Sequence, residues 1–342
     1  MPIFPDIKEN FSLHPFNTFQ IESTARFFTE VNSIENFSEL IASGKLNEHP
    51  FLILGGGSNL LFTGNFNGMV VHVINKGIEI IHRFEDAVLV KASAGENWHE
   101  FVTYCVNEGF GGLENLSLIP GNVGSCPIQN IGAYGVEVKD SFYSLEAIDL
   151  QSGELLVFSN EECRFGYRDS IFKRDLKGKY AIWSVTFELK LNPVVHIEYG
   201  AIKQELEAMG TGNPGITDVS KAVCSIRQKK LPDPKVLGNA GSFFKNPTVD
   251  QKFAEKLVES FPKLVFFPLS DGKVKLAAGW LIEQCGWKGH REGDAGVHEY
   301  QALVLVNYGN ASGSNILTLA HRIQNSVYER FGVKLDMEVN VI

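Results

Sequence analysis

The feature that most limits the fold of this chain is a run of three glycines directly after a short apolar segment. Residues 51–54 (FLIL) are predicted to form a buried strand, and residues 55–59 (GGGSN) follow it at once. Consecutive glycines permit positive φ and close approach of the main chain, so their N–H groups can point together at an anion. A dinucleotide-binding fingerprint would need a glycine where Leu60 stands and then a helix, whereas a turn and a strand over 69–73 are predicted. A Rossmann fold is therefore disfavoured, and the run is either a phosphate cradle or a plain tight turn between strands.

A second glycine-rich segment covers residues 120–135 (PGNVGSCPIQNIGAYG). Four glycines and two prolines in this segment predict a long loop without secondary structure of its own. Loops of this length are usually functional, and the glycines and side-chain donors suit an extended, phosphate-bearing ligand. A structural Ω-loop is the alternative.

Composition excludes several classes of function. The chain has 342 residues, enough for two or three domains, and a net charge of -9. Proteins that coat nucleic acid are usually basic, so no nucleic-acid partner is predicted. Apolar stretches such as 264–269 are too short to span a bilayer, so no membrane partner is predicted. The five cysteines form no CxxC pair and the nine histidines are scattered, which predicts no metal site and a reduced, cytoplasmic compartment.

Hydrophobic periodicity and turn residues predict a chain that mixes helices and strands. The predicted strands are 25–31, 51–54, 69–73, 87–92, 144–150, 154–158, 181–191, 302–307 and 335–341. The predicted helices are 34–41, with Ser33 as the N-cap, and 97–108, 250–260, 277–284 and 315–331. Residues 76–225 read largely as strands, and the two prolines of 231–234 (LPDP) predict a domain boundary.

Seven blocks of sequence resemble one enzyme family, the UDP-N-acetylenolpyruvoylglucosamine reductases. The blocks are 112–116 (GLENL), 119–121 (IPG), 127–135 (PIQNIGAYG), 163–170 (CRFGYRDS), 230–235 (KLPDPK), 238–247 (GNAGSFFKNP) and 275–282 (KLAAGWLI). Together with the glycine run they extend over nearly the whole chain.

The resemblance implies an α+β fold. It implies a two-domain FAD-binding unit of the vanillyl-alcohol-oxidase (PCMH) type plus an α+β substrate-binding domain. The expected divisions are 1–75, then 76–228 completed by a C-terminal strand in 332–342, and then the substrate domain 229–331.

The reaction implied by the resemblance belongs to the synthesis of peptidoglycan precursors. NADPH reduces bound FAD, a hydride is delivered to C3 of the enolpyruvyl ether of UDP-N-acetylglucosamine enolpyruvate, and an acid of the enzyme protonates C2. The product is UDP-N-acetylmuramate, and a monomer is expected. The alternatives are a catalytically inactive nucleotide-sugar sensor on the same fold and a flavin oxidase that uses oxygen.

Three residues match the catalytic positions of the family. Ser242 is the implied proton donor, although by its sequence context alone it would be a turn or N-cap serine. Arg168 and Glu338 are the implied pair that polarises the substrate carboxylate and steadies the intermediate. The alternatives are a surface ion pair of Arg168 with Asp169 or Asp175, and a solvated strand face for Glu338.

The remaining site residues are also implied by the resemblance. The expected cofactor-binding residues are Gly55, Gly56, Gly57, Ser58, Asn59, Pro120, Gly121, Gly124, Ser125, Asn130, Gly132, Ala133, Tyr134, Gly135 and Arg227. The expected substrate-binding residues are Gln129, Tyr167, Tyr199, Lys230, Asn246 and Gln301. Tyr199 marks the form of the family with a mobile loop, and a core tyrosine is its alternative. Cys126 departs from the family pattern, in which a small residue such as serine is expected, and this puts one flavin contact in doubt.

Overall fold

The computed structural model describes residues 6–269 and 271–342, and within them the chain is an α+β protein. The strands of the described residues are β1 Lys8–Ser12, β2 Thr24–Val31, β3 Phe51–Leu54, β4 Leu60–Leu61, β5 Phe66–Val73, β6 Ile78–Arg83, β7 Ala87–Ser93, β8 Gly132–Ala133, β9 Val136–Glu137, β10 Phe142–Asp149, β11 Leu155–Ser159, β12 Tyr180–Lys190, β13 Gly238–Ser242, β14 Thr248–Asp250, β15 Phe266–Pro268, β16 Lys273–Leu276, β17 Arg291–Glu292, β18 Ala295–Val297, β19 Val304–Asn307 and β20 Asn340–Val341. The helices are α1 Ile34–Ala42, α2 Lys45–Glu48, α3 Trp98–Asn107, α4 Asn160–Cys163, α5 Gly200–Ala208, α6 Ile216–Lys230, α7 Gln251–Ser260, α8 Ala278–Gln284 and α9 Gly313–Phe331. No helix in this described part of the chain has the length and apolar character needed to cross a membrane.

The chain divides into two compact units that are discontinuous in sequence. The first unit contains the described residues up to Phe11, Ala25–Gly56 and Asn67–Lys229. The second contains Ser12–Thr24, Gly57–Phe66 and Lys230–Ile342. The glycine run is therefore shared, with its first two glycines in the first unit and the third in the second. The finer division of residues 1–228 into two flavin-binding subdomains stays a prediction.

Two large sheets form the core of the first unit. One has the order β1-β2-β5-β3, in which β3 and β5 run parallel, and the other has the order β11-β10-β12-β7-β6 and is antiparallel. Helix α1 begins where Ser33 accepts a hydrogen bond from the Asn36 N–H, and its buried Phe37 and Leu40 pack with residues of both sheets. Helix α3 begins at Asn97 in the same way and buries an apolar face against the five-stranded sheet. Loops at the ends of these strands are thus held on a fixed scaffold.

The second unit is built on the antiparallel sheet β13-β19-β18-β17, with the three-stranded sheet β14-β16-β15 beside it in sequence. The long helix α9 has a capping box at Ser312 and ends at Gly332, which has a φ of 66°. Strand β20 pairs in parallel with β4, and this joins the C-terminus to the segment after the glycine run.

Three sequence expectations differ from the structure. Residues 76–225 also contain α5 and most of α6, whose weak amphipathic pattern did not reveal a helix. The predicted strand 335–341 is reduced to β20 and an isolated bridge from Met337 to Phe244, because only there does a partner strand offer hydrogen bonds. Segment 332–342 was expected to complete the strand-rich region, and it pairs instead with Leu60–Leu61 inside the second unit.

Candidate active site

In the first unit the glycine run and the loop 120–135 lie side by side. A Cβ atom on Gly56 would stand 2.9 Å from the Gly121 Cα and 2.8 Å from the Asn122 side-chain oxygen, closer than real Cβ contacts. Only glycine therefore fits at position 56. Gly55 and Gly56 directly follow β3, so this strand places them against loop 120–135.

Loop 120–135 has more internal structure than predicted. It contains a 3-10 turn at Val123–Ser125 and the two-stranded ribbon β8–β9, so the expectation of a loop without its own structure is wrong. The Val123 and Gly124 N–H groups donate to the carbonyls of Glu96 and Ala94. Gly124 is required there, because a Cβ would lie 2.5 Å from the Ala94 Cβ. Ser125 donates its hydroxyl to the Asn122 carbonyl, at 2.8 Å. The polar groups of the turn thus hold the loop in place.

Cys126 lies in the core of the first unit and is 1 % exposed. Burial raises the pKa of its thiol well above the ordinary value, so the group stays neutral. The departure from the family pattern at this position is therefore accommodated by packing.

Asn130 joins the loop to the turn that carries Arg168. Asn130 is fully buried, and its side-chain amide donates to the Glu137 carboxylate and to the Gly166 carbonyl, both at 3.0 Å. Its side-chain oxygen accepts from the Lys139 N–H. Both side-chain donors are used, so Asn130 shapes the site with its amide and does not offer that amide to a ligand.

Arg168 is held over the same ribbon. Its guanidinium donates to the carbonyls of Gly132, at 2.5 Å, and Asn130, at 3.4 Å, and it lies 5.5 Å from the ring centroid of Tyr167. The surface-pair alternative involves Asp169 and Asp175, but Asp169 pairs with Arg174 and Asp175 with Arg164. Backbone carbonyls of loop 120–135 thus fix the position of the Arg168 guanidinium.

Tyr134 and Arg227 form a second polar group beside the ribbon. Burial raises the pKa of the Tyr134 phenol, and a hydrogen bond with Arg227 opposes that rise. Burial also lowers the pKa of Arg227, although the residue keeps some exposed surface. Tyr199 packs edge-on against Tyr134, with ring centroids 5.4 Å apart, and it is 48 % exposed, so the core-tyrosine alternative is wrong.

Other predicted residues of this unit lie on the same loops. Ala133 and Gly135 belong to the ribbon and its turn, where Gly135 has a φ of 84° and open space around its Cβ direction. Pro120 is exposed and Gln129 is half-buried.

In the second unit the third glycine and its neighbours are tied to the C-terminal segment. Gly57 has a φ of 61°, and a Cβ there would lie 2.0 Å from the Phe16 carbonyl oxygen. Asn59 donates its side-chain amide to the Glu338 carbonyl at 3.3 Å and accepts from the Asn340 N–H at 3.1 Å. Ser58 lies between them and is half-buried.

The same C-terminal segment runs beside the strand that ends in Ser242. The Glu338 N–H donates to the carbonyl of Phe243, the residue after Ser242, at 2.8 Å. Ser242 itself pairs with Val304 across β13 and β19. Within the second unit, Asn59 and the strand that ends in Ser242 therefore both lie beside the segment of Glu338, although the three are far apart in sequence. Glu338 is half-buried.

Two predicted substrate-binding residues meet at the first turn of α8. Asn246 accepts from the Ala278 N–H at 3.0 Å through its side-chain oxygen. A Cβ on Gly279 would lie 3.3 Å from the side-chain oxygen of Gln301. Lys230, the last residue of α6, is exposed.

Sequence reasoning missed two polar residues near loop 120–135. Asn115 is buried, and its amide donates to the His196 and Tyr134 carbonyls while its side-chain oxygen has no partner among the described residues. His99 accepts from the Leu118 N–H. Asn115 stands in the block GLENL and could have been noticed there, whereas nothing in the sequence marks His99, which sits at an ordinary helix start.

The residues of the first unit fit a flavin dinucleotide. The main chain at Gly56 approaches that at Gly121 closely, as a backbone cradle for an anionic pyrophosphate requires, and the Arg227 cation lies beside Tyr134 of the second glycine-rich segment.

Comparison with known proteins decides the family. A UDP-N-acetylenolpyruvoylglucosamine reductase from Pseudomonas savastanoi pv. phaseolicola is 52% identical over 98% of this chain and 98% of its own length. The chain belongs to the UDP-N-acetylenolpyruvoylglucosamine reductase family. The reductase of Flavobacterium johnsoniae is 51% identical over 98% of this chain and its full length. The crystal structure of the reductase from Thermus caldophilus covers 99% of both chains with a TM-score of 0.70 and 25% identity.

Family models locate the two functional regions of this reductase. An FAD-binding domain matches residues 25–159, and the C-terminal domain of UDP-N-acetylenolpyruvoylglucosamine reductase matches residues 233–342. The predicted α+β fold with an FAD-binding domain is confirmed, as are the family and FAD as the cofactor.

Proposed function

We propose that Ser242, Arg168 and Glu338 carry the chemistry of this reductase on the substrate side. The chain is a flavin-dependent oxidoreductase that reduces UDP-N-acetylglucosamine enolpyruvate to UDP-N-acetylmuramate in peptidoglycan synthesis, with NADPH as the reductant. The bound FAD supplies the hydride chemistry between NADPH and the C=C bond. The residues of the chain must bind both partners, deliver one proton to C2 and exclude water.

Ser242 is assigned as the acid that protonates C2. A hydroxyl is a weak acid, so it needs neighbouring groups that favour loss of its proton in the transition state. The observation that supports this assignment best is the hydrogen bond from the Glu338 N–H to the Phe243 carbonyl. It holds the segment of Glu338 beside the strand β13, which ends in Ser242. Glu338 is assigned, together with Arg168, to polarise the substrate carboxylate and to steady the intermediate that forms during the reaction.

Arg168 is assigned to the enolpyruvyl carboxylate. Its planar guanidinium can bind a carboxylate through two parallel hydrogen bonds, and its bonds to the Asn130 and Gly132 carbonyls fix where it lies. Tyr167 precedes it in sequence, Gln129 lies on the loop whose carbonyls accept from Arg168, and both are assigned to the same end of the substrate.

The nucleotide part of the substrate is assigned to Tyr199, Lys230, Asn246 and Gln301. Lys230 is an exposed cation suited to a diphosphate, and the grouping of Asn246 with Gln301 at the start of α8 supports a polar subsite for the sugar or base.

The cofactor-binding residues are proposed to be those of the two glycine-rich segments together with Arg227. Asn130 is assigned a supporting role within that group, because its side-chain donors are bonded inside the protein.

We also propose that the enzyme is a cytoplasmic monomer. The five free cysteines of the structure agree with a reducing compartment. Sedimentation or size-exclusion measurements at micromolar concentration test the monomer, and a dimer would contradict it.

Stopped-flow absorbance of the flavin tests the proposed function. Reduction by NADPH should be followed by rapid reoxidation with UDP-N-acetylglucosamine enolpyruvate and slow reoxidation by air. The sensor alternative, which no observation favours, requires binding of the nucleotide sugar without reoxidation, and an oxidase requires rapid reaction with oxygen.

A further inference from the structure

A histidine outside the assigned residues holds the peptide that leads into loop 120–135. The Leu118 N–H donates to the His99 Nδ1 at 3.0 Å, and the Leu118 carbonyl accepts from the Arg227 Nε at 3.1 Å. Both backbone polar groups of Leu118 are therefore bound by side chains from two helices, α3 and α6. Because Nδ1 accepts, the proton of the neutral ring must be on Nε2.

Leu118 needs this support because of its backbone conformation. Its φ is +59°, in the left-handed region that a leucine rarely adopts. Such a conformation persists only where surrounding contacts determine it, and it collects at functional sites. If the N–H lost its acceptor, the chain could relax to negative φ, which would turn the Leu118 carbonyl away from Arg227.

The same turn of α3 holds the flanking residues. The Trp98 indole donates to the Leu116 carbonyl at 2.9 Å, and the Trp98 N–H donates to the Gly121 carbonyl at 3.0 Å. These two contacts are unchanged by pH. Among these three contacts between α3 and segment 116–121, the one with the His99 ring is lost when the acceptor nitrogen is protonated.

We propose that His99 is a positioning residue for FAD binding: its neutral Nδ1 fixes Leu118 in the left-handed conformation and thereby sets Arg227 and the start of loop 120–135. This inference rests on the proposed function, in which Arg227 and loop 120–135 bind FAD. The charged groups that face His99 are Arg227 on α6 and Glu100 on its own helix. Burial and the Arg227 cation lower the pKa of His99 below 6.5, so the ring is neutral at pH 7 and loses its acceptor only in more acidic solution.

Two substitutions separate the acceptor from the titration. In His99→Asn the side-chain oxygen can occupy the place of Nδ1 and accept from Leu118 without titrating, whereas His99→Leu has no acceptor. Apoprotein is titrated with FAD between pH 5 and 8, and quenching of flavin fluorescence gives the dissociation constant. At pH 7.5 we expect His99→Leu to bind FAD about tenfold more weakly, since one buried hydrogen bond is lost, and His99→Asn to bind nearly as wild type does. Towards pH 5 the wild-type affinity should fall and that of His99→Asn should stay level.

Equal pH profiles of wild type and His99→Asn would overturn the proposal, as would wild-type FAD affinity in a folded His99→Leu. If His99→Leu does not fold, the pH profiles of FAD affinity for wild type and His99→Asn still test the role of His99. Arg227→Met, measured in parallel, tests the underlying assignment: if it too binds FAD normally, the placement of FAD at this loop fails, and not the role of His99 alone. His321→Leu, at an exposed position of α9, is the control and should leave both affinity and pH profile unchanged.

Discussion

The two units present their site residues in different ways. In the first unit Leu118, Asn130, Tyr134 and Arg168 all have positive φ although none is glycine, and each is held by bonds between side chains and backbone. In the second unit Ser242 ends a paired strand, and the residue with positive φ beside it is Gly241, at 69°.

This difference has a physical consequence. A strained loop keeps its geometry only through its neighbours, so substitutions around it should change ligand binding at a distance. A residue on a hydrogen-bonded sheet keeps its place when its side chain is replaced, so substitutions there should change the chemistry and little else. Each prediction below tests one side of this contrast.

The largest effect is expected for Ser242→Ala. Loss of the proton donor should slow flavin reoxidation by the enolpyruvyl substrate by several orders of magnitude, near the upper range for general acid catalysis, while reduction by NADPH stays nearly intact. Stopped-flow absorbance measures both half-reactions. Thr248→Ala, on an exposed strand position of the same unit, is the control and should react normally. Wild-type reoxidation by Ser242→Ala would remove the serine from its assigned role.

Glu338→Gln should produce the next largest loss. The substitution keeps the shape and the backbone bond to Phe243 but removes the negative charge, so reoxidation should slow by roughly a hundredfold or more with little change in thermal stability. Glu329→Gln, exposed on α9, is the matched control. Near-normal turnover of Glu338→Gln would show that the charge is not needed.

Gly56→Ala tests the strained side of the contrast. The added Cβ would meet the Gly121 main chain at 2.9 Å, so the two loops must separate, and we expect a loss of about 1–3 kcal/mol in unfolding free energy together with weaker FAD binding. Denaturant unfolding and fluorescence titration measure the two effects. Gly64→Ala, where no atom lies within 4 Å of the new Cβ, should change neither. Full stability of Gly56→Ala would mean that the loops are not tightly fitted.

The smallest effect concerns the scaffold sheet of the first unit. Burial alone would raise the pKa of Glu146, but hydrogen bonds from Lys91 and Ser184 outweigh it and leave the pKa below its ordinary value. A carboxylate whose pKa is lower in the folded than in the unfolded state stabilises the fold at pH values above the unfolded-state pKa. This contribution is lost as the pH falls through the folded-state pKa. Glu146→Gln should therefore cost about 1 kcal/mol at pH 7 and progressively less below pH 4.

Denaturant unfolding at pH 7 and at pH 3 measures this difference. Glu188→Gln breaks the more exposed Lys190 pair and should cost less. A constant effect of Glu146→Gln across this pH range would show that its charge contributes nothing to stability. FAD affinity should be unchanged in both variants, in contrast to Gly56→Ala.

Much of the secondary structure could be predicted from local signals. Ser33 and Asn97 mark the starts of α1 and α3, and the apolar run 51–54 coincides with β3, because caps and periodicity depend on residues close in sequence. Helix α6 could not be recognised in this way, since its charged residues weaken the apolar pattern. The tail was predicted as a longer strand than exists, because a strand also needs a partner and only Leu60–Leu61 provides one for β20.

The sequence alone determined the family, the cofactor and the residue types of the site, because long blocks such as GNAGSFFKNP and CRFGYRDS carry that information without any coordinates. Tertiary structure decided which residues act together: that Asn130 holds the turn of Arg168, that Glu338 lies beside the strand of Ser242, and that His99 supports Leu118. These contacts join residues 19 to 95 positions apart. Hydrogen bonds at about 3 Å depend on how the chain folds back on itself, which local sequence does not encode.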